Sequence, residues 1–147
     1  RYFNVFGPNQ MGGSPYSTVI SAWFYNCTNG LDMRLDGDGL QSRDLCYIDN
    51  VVNANILAAQ SDKDLRGEVV NVACGDNVVL KDILDYFLKE FPECKFYSEK
   101  ERPGDVKKSH ACVQLAKELI GYEPQVEFWE GMEKTKEWWN NYAKKKV

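Results

Sequence analysis

The pattern of this 147-residue sequence calls for a mixed α/β fold built from short strands and helices. A helical stretch near 49–60 lies between two stretches of strand character, 43–48 and 67–73. Two further stretches, 16–26 and 80–91, repeat apolar residues at helical spacing. Turn-forming clusters such as Gly7-Pro8-Asn9, Gly37-Asp38-Gly39 and Gly75-Asp76-Asn77 close the strand-like segments.

In chain order, residues 1–6 read as a strand running into the breaker-rich loop Gly7-Pro8-Asn9-Gln10-Met11-Gly12-Gly13-Ser14-Pro15. The helix at 16–26 is amphipathic through Val19, Ile20, Trp23, Phe24 and on to Cys27, and Asn29-Gly30 stops it. Short strands at 32–36 and 43–48 flank the turn forced by Gly37-Asp38-Gly39. Asp49 is placed to cap a helix that ends near Gln60, and the β-branched run 67–73 reads as a strand. Leu80, Ile83, Leu84, Phe87 and Leu88 share one face of the helix at 80–91, which Pro92 ends. A strand at 94–97, a short helix at 113–120 closed by Gly121 and a longer helix at 128–142 complete the chain.

The apolar share of 44% and charged share of 27% are those of a globular domain long enough to bury a core. No run approaches the ~20 consecutive apolar residues of a membrane-spanning helix, so no membrane partner is expected. A net charge of -4 argues against nucleic acid, which demands a basic stripe, and leaves Lys144-Lys145-Lys146 as a solvated tail. Cys27, Cys46, Cys74, Cys94 and Cys112 form no CxxC pair and His110 is the sole histidine, so no metal site is expected. The odd cysteine count without a signal peptide fits a reducing compartment, the cytoplasm. The opening Arg1-Tyr2-Phe3-Asn4-Val5-Phe6 enters strand-like sequence without a methionine, as a fragment would.

The chain carries no glycine-rich dinucleotide loop, Walker loop or serine elbow, so no catalytic residue is expected in it and ligand binding is the better expectation. Open α/β sheets place ligands at strand ends and in glycine-rich loops. Arg43, between Gly37-Asp38-Gly39 and an apolar strand, has a planar fork suited to a diphosphate; the plainer alternative is a surface ion pair with Asp44 or Asp49. Arg102 and Asp105 share the rigid turn Arg102-Pro103-Gly104-Asp105, where Asp105 is able to accept bonds from sugar hydroxyls; the alternative is an ordinary turn with a local ion pair. Asn4 suits a phosphate or sugar oxygen but equally caps a turn, and His110 reads better as structural than as a proton shuttle. The Trp138-Trp139 pair reads as core packing rather than a sugar-stacking platform.

Six motifs in order then resemble the extended short-chain dehydrogenase/reductase family, its NAD-dependent epimerase/dehydratase members in particular. They are Arg1-Tyr2-Phe3-Asn4-Val5-Phe6-Gly7-Pro8; Gly37-Asp38-Gly39 with Ser42-Arg43-Asp44; Tyr47-Ile48-Asp49-Asn50-Val51-Val52; Asn71-Val72-Ala73-Cys74-Gly75; Arg102-Pro103-Gly104-Asp105-Val106; and Gly121-Tyr122-Glu123-Pro124 with Glu130-Gly131. The loop from Gly37 to Tyr47 and the run Tyr16-Ser17-Thr18-Val19-Ile20 are most similar to the UDP-N-acetylglucosamine 4-epimerases of bacterial surface-polysaccharide synthesis.

The resemblance implies the C-terminal, substrate-binding portion of such an enzyme, with 1–6 and 68–73 as strands of its Rossmann sheet. NAD and the serine, tyrosine and lysine of catalysis would belong to an N-terminal half not included in this sequence. In the family's reaction NAD takes a hydride from the sugar C4, a tyrosine takes the hydroxyl proton, and hydride returns to the other face of the 4-keto sugar. Carried over by position, Asn4 would contact the sugar-phosphate region, Thr18 and Val19 would lie along the nucleotide, and Asp36 would fall beside the uracil. Arg43 and Arg102 would meet the diphosphate and Asp105 the ribose. The implied ligand is a UDP-sugar, and the whole enzyme would be a homodimer but this portion alone an inactive monomer. The alternatives are a dehydratase or decarboxylase of the same family, or a non-catalytic nucleotide-sugar binding module. Two positions depart from the family pattern: Cys112 where many relatives start a helix with Asp, and Leu45 where some have an aromatic residue.

Overall fold

The computed structural model describes residues 1–14 and 16–144. Its elements are β1 (Val5–Phe6), α1 (Val19–Thr28), β2 (Met33–Asp36), β3 (Ser42–Arg43), β4 (Cys46–Tyr47), α2 (Ile48–Ala59), β5 (Val78–Val79), α3 (Leu80–Glu90), β6 (Phe96–Glu99), α4 (Gln114–Ile120) and α5 (Phe128–Lys144). The expected lysine tail falls largely on side chains outside the described residues. The strands pair in twos: β1 with β4 and β2 with β6 in parallel, β3 with β5 antiparallel. The parallel pairs keep residues 5–6 beside 46–47 and the end of β2 beside the end of β6, where Asp36 aligns with Glu99.

Several expected elements shift for identifiable reasons. The first helix begins at Val19 rather than Tyr16 because Ser17 N–H donates to the Ser14 carbonyl at 3.0 Å, closing a turn, and Thr18 is extended. The strand expected at 43–48 splits at Asp44, since Arg43 pairs with Val78 while Cys46 pairs with Val5. The following helix starts one residue before its expected cap: Tyr47 is the N-cap, and Asp49 sits in the first turn, where a negative charge favours the helix N-terminus. The run 67–73 holds a single parallel bridge, Tyr2 to Val72, secured by Phe3 N–H on the Val72 carbonyl at 3.1 Å and Val72 N–H on the Arg1 carbonyl at 2.9 Å. β5 lies just after the Gly75-Asp76-Asn77 turn, where no strand was expected, and β6 lies two residues later than the predicted strand.

The main core gathers the predicted faces of α1, α3 and α5. Phe24 and Phe87 are fully buried with ring centroids 4.6 Å apart, an edge-on pair contributing about 0.5–1.5 kcal/mol beyond its burial. Trp139 is buried near-parallel to Phe24 at 6.3 Å, so the tryptophan pair supplies core packing as expected. Trp23 joins them, its indole N–H on the Arg34 carbonyl at 2.9 Å. A smaller cluster of Cys46, Val51, Ala54, Val72, Ala116 and Tyr122 seats α2 and α4. The Tyr122 hydroxyl donates to the Ala73 carbonyl at 2.8 Å, and Gly121 closes α4 in the left-handed conformation at φ 67°. Asn50 ties α2 to the entry of α5, accepting from the Gln125 and Val126 N–H groups at 2.8 and 3.0 Å and donating to the Val126 carbonyl at 2.8 Å. No helix among the described residues is long and apolar enough to cross a membrane.

α5 crosses Tyr47 at Gly131, where a methyl group would lie 2.8–2.9 Å from Cδ2, Cβ and Cγ of that side chain. Tyr47 is 4% exposed and has little room to yield. The overpacking cost of about 1–3 kcal/mol exceeds the roughly 1 kcal/mol that alanine gains over glycine in a helix. Gly131→Ala is therefore expected to lower the urea midpoint at unchanged slope, despite its better helix propensity.

Candidate functional site

The site is built on the turn after β2. Gly37 and Gly39 adopt φ of 74° and 76°, the left-handed region that glycine enters at little cost, so this turn needs them. The Asp38 carboxylate accepts the Leu40 N–H at 2.9 Å inside the turn, and Gln41 Nε2 donates to the Asp36 carbonyl at 2.7 Å. The chain then enters β3, where Ser42 N–H donates to the Lys107 carbonyl at 2.9 Å and Ser109 N–H to the Ser42 carbonyl at 3.0 Å. This ladder lays 107–109 along β3 and brings the Arg102-Pro103-Gly104-Asp105 turn, closed by Asp105 N–H on the Arg102 carbonyl at 3.0 Å, against the glycine turn. Between the two turns is a cleft of about 200 Å³ lined by Gly37, Leu40, Gln41, Glu101, Asp105 and Lys107, among others.

Four of the expected site residues meet here as two ion pairs. Arg43 Nη2 lies 2.5 Å from Asp105 Oδ1, and Arg102 Nε lies 2.6 Å from Asp36 Oδ2. Arg43 Nη1 also donates to the Ser42 carbonyl at 2.8 Å and to the Val106 carbonyl. The partner of Arg43 is thus Asp105, not Asp44 or Asp49, and the partner of Arg102 lies across the fold rather than within its own turn. Asp36 is shared: its Oδ1 accepts Arg34 Nε at 2.7 Å, and that contact holds the Arg34 guanidinium above its ordinary range. The hydroxyl of Ser42, buried next to Arg43 in sequence, has no partner among the described residues.

The other expected residues take no part in these two ion pairs. Asn4 is left-handed at φ 34°, a conformation asparagine tolerates, and its Nδ2 donates to the Asp44 carbonyl at 2.8 Å. Thr18 Oγ1 donates to Gln10 Oε1 at 2.9 Å, and Val19 opens α1 against the core. Asn4 thereby fastens the start of β1 to the residue following Arg43. His110 is exposed, with Nδ1 3.4 Å from the Asp76 carbonyl.

Asp44, anticipated only as a surface partner for Arg43, is fully buried. Its Oδ1 accepts the Cys74 N–H at 2.9 Å, and its Oδ2 accepts the N–H groups of Gly75 and Ala111, both at 3.1 Å. One carboxylate thus ties β3 to the loops that follow 73 and 110. The signal for it was an acidic residue directly preceding the apolar run Leu45-Cys46-Tyr47-Ile48, a pattern that marks a buried acceptor as well as a surface charge. Beneath it, hydrogen bonding to Cys46 and burial push the Cys74 thiol well above its ordinary range, which leaves it a packing group rather than a nucleophile. Leu45 is buried and Cys112 exposed; α4 starts beyond Cys112, at Gln114, without a side-chain cap.

An NAD pyrophosphate needs a glycine-rich turn whose backbone lies open at a helix N-terminus. The loop before α1 does not offer one, because the space a Cβ would take at Gly12 is filled by Tyr25 Cβ at 2.2 Å and the Ser21 carbonyl at 2.4 Å. At Gly13 the Tyr25 ring lies at 2.9–3.2 Å, so these glycines admit a tyrosine. The residues of this loop do not fit NAD.

Short strand pairs packed with helices, with a cleft beyond the end of β2, define an α/β class of the kind that places ligands at strand ends. The sequence model of the NAD dependent epimerase/dehydratase family matches residues 1–73. The chain belongs to this family, within the extended short-chain dehydrogenases/reductases. Its fold is similar to that of UDP-N-acetylglucosamine 4-epimerase from Methanobrevibacter ruminantium M1 in complex with UDP-N-acetylmuramic acid: TM-score 0.85 and 34% identity over 97% of this chain and 45% of that one. In sequence it is 28% identical to the UDP-glucuronate 4-epimerase of Thermodesulfobacterium geofontis over 94% of this chain and 41% of the relative. It is also 28% identical to the UDP-N-acetyl-alpha-D-glucosaminuronate decarboxylase of Bacillus cytotoxicus, over 94% of this chain and 44% of the relative. The chain therefore spans less than half the length of these relatives.

Asp44→Asn puts an amide nitrogen where a carboxylate oxygen accepted, so at least one of three buried N–H groups loses its acceptor. The expected cost is about 1–3 kcal/mol. Amide hydrogen exchange should show lost protection at Cys74, Gly75 or Ala111 ahead of the core of α3.

Proposed function

We propose that this chain is the substrate-binding portion of an NAD-dependent UDP-sugar 4-epimerase, with UDP-N-acetylglucosamine or UDP-glucose as substrate. The observation that carries the reading is the two ion pairs, Arg43 with Asp105 and Arg102 with Asp36, that join the turns on either side of the cleft. A UDP-sugar presents two negative phosphates, and a chain of net charge -4 must supply cations locally to hold them. In this reading Arg43 and Arg102 meet the diphosphate, Asp105 the ribose and Asp36 the uracil side, while Asn4 contacts the sugar-phosphate region and Thr18 and Val19 lie along the nucleotide.

The cleft of about 200 Å³ is smaller than the roughly 300–1,000 Å³ of a typical ligand pocket. That shortfall supports a site completed by a second body, the part of the protein that would hold NAD and the catalytic groups. The loop before α1, filled by Tyr25, supports the same division. NAD, when bound there, would accept and return the hydride; the residues of this chain would bind and orient the nucleotide end. Alone, the chain is expected to be a cytoplasmic-type monomer without turnover. The decarboxylase relative supports a second reading in which the same nucleotide grip serves a decarboxylation decided by groups elsewhere.

Calorimetric titration of the purified chain with UDP, UDP-N-acetylglucosamine and UDP-glucose tests the reading. Losing one charge-assisted diphosphate contact removes about 1.5–3 kcal/mol, so Arg43→Ala should weaken UDP binding by roughly one to two orders of magnitude. A folded chain that binds none of the three, or binds them equally well with Arg43→Ala, overturns it.

A further inference from the structure

Both candidate phosphate-binding arginines already hold a carboxylate, and the pairs cross. β2 contributes Asp36 and β3 contributes Arg43, while the single turn 102–105 contributes the opposite charge to each. The turn is thus strapped over the cleft at both ends. Asp105 occupies Arg43 Nη2 at 2.5 Å, and two backbone carbonyls occupy Nη1.

We infer that Asp105 is a specificity-determining residue that selects nucleoside diphosphates over bare diphosphate by guarding Arg43. The inference rests on the proposed contact between Arg43 and a diphosphate. An oxyanion taking the Nη2 edge of Arg43 competes with the Asp105 carboxylate, and bare pyrophosphate offers that carboxylate nothing in exchange. A nucleoside diphosphate carries a ribose diol on the sugar whose C5′ is esterified to its α-phosphate, with hydroxyl donors for the freed carboxylate. The same residue therefore opposes one ligand and rewards the other, which is how a binding site gains selectivity without added affinity. The turn has the freedom the exchange requires: Gly104, beside Asp105, is left-handed at φ 79° with no atom within 4 Å of a Cβ position. The side chains of Arg43 and Asp105 are 22% and 24% exposed, so a ligand can reach the pair from solvent.

Titrations of pyrophosphate and of UDP into the wild-type chain, Asp105→Asn, Asp38→Asn and Arg43→Ala decide the matter. Asp38 lines the same cleft without bonding Arg43, so Asp38→Asn controls for the loss of one negative charge. Releasing a partly exposed pair should tighten pyrophosphate binding roughly two- to fivefold in Asp105→Asn, with no gain for UDP, so the preference for UDP narrows by that factor or more. Circular dichroism confirms that each variant is folded. An unchanged ratio of the two affinities, weaker pyrophosphate binding, or the same narrowing in Asp38→Asn overturns the inference. If UDP binding is lost with Arg43→Ala while the ratio is unmoved by Asp105→Asn, the guard fails and the proposed site stands. If UDP binding is indifferent to Arg43, both fail.

Discussion

The buried carboxylate of Asp44 is the contact on which the placement of the site depends. Taking a charge out of water is costly unless its lone pairs are filled, and Asp44 fills them with three backbone N–H groups from two loops distant in sequence. Its own carbonyl accepts the Asn4 side chain, so the start of β1 is drawn to the same residue. Successive side chains of an extended segment point to opposite sides. With Asp44 fastened inward, Arg43 is turned toward the cleft, where it meets Asp105. One residue anchors and its neighbour presents.

The second constraint is electrostatic. An acidic chain that brings arginines together must compensate them, and here the compensation is also the assembly device. Asp36 gathers Arg34 and Arg102 at the end of β2, and Asp105 reaches Arg43 from the far turn. These pairs are partly open to water, so each adds little to stability. Their consequence is positional: they set the separation of two glycine-containing turns, and with it the mouth of the cleft.

How legible was this from residues alone? The helices with strong periodicity were clear, because Ile83, Leu84 and Phe87, or Ile20, Trp23 and Phe24, mark a buried face that only a helix lines up. Short strands were harder. Val78–Val79 spans two residues, too few for any alternation to register, and forms because Ser42–Arg43 lies beside it. The run at 67–73 shows the reverse: its β-branched residues have strand propensity, yet within the described residues its ladder is the bridge at Val72, because strand order follows from partners and not from propensity. The candidate site was legible as residue types: Arg43, Arg102, Asp36 and Asp105 were each singled out. Their pairing was not, since Arg43 and Asp105 lie 62 residues apart and local spacing carries no information about contacts at that range.

By itself, the sequence determined the α/β class, the amphipathic helices, the turns at Gly37-Asp38-Gly39 and Arg102-Pro103-Gly104-Asp105, and through ordered motifs the family. Each of these depends on interactions within a few residues, or on a pattern preserved along the chain. Only the tertiary structure decided that Asp44 is buried, that Asn4 fastens to it, and which carboxylate each arginine holds. Those outcomes depend on desolvation and on the meeting of distant backbone groups, quantities that exist only once the core around Phe24 and Phe87 has brought the loops together.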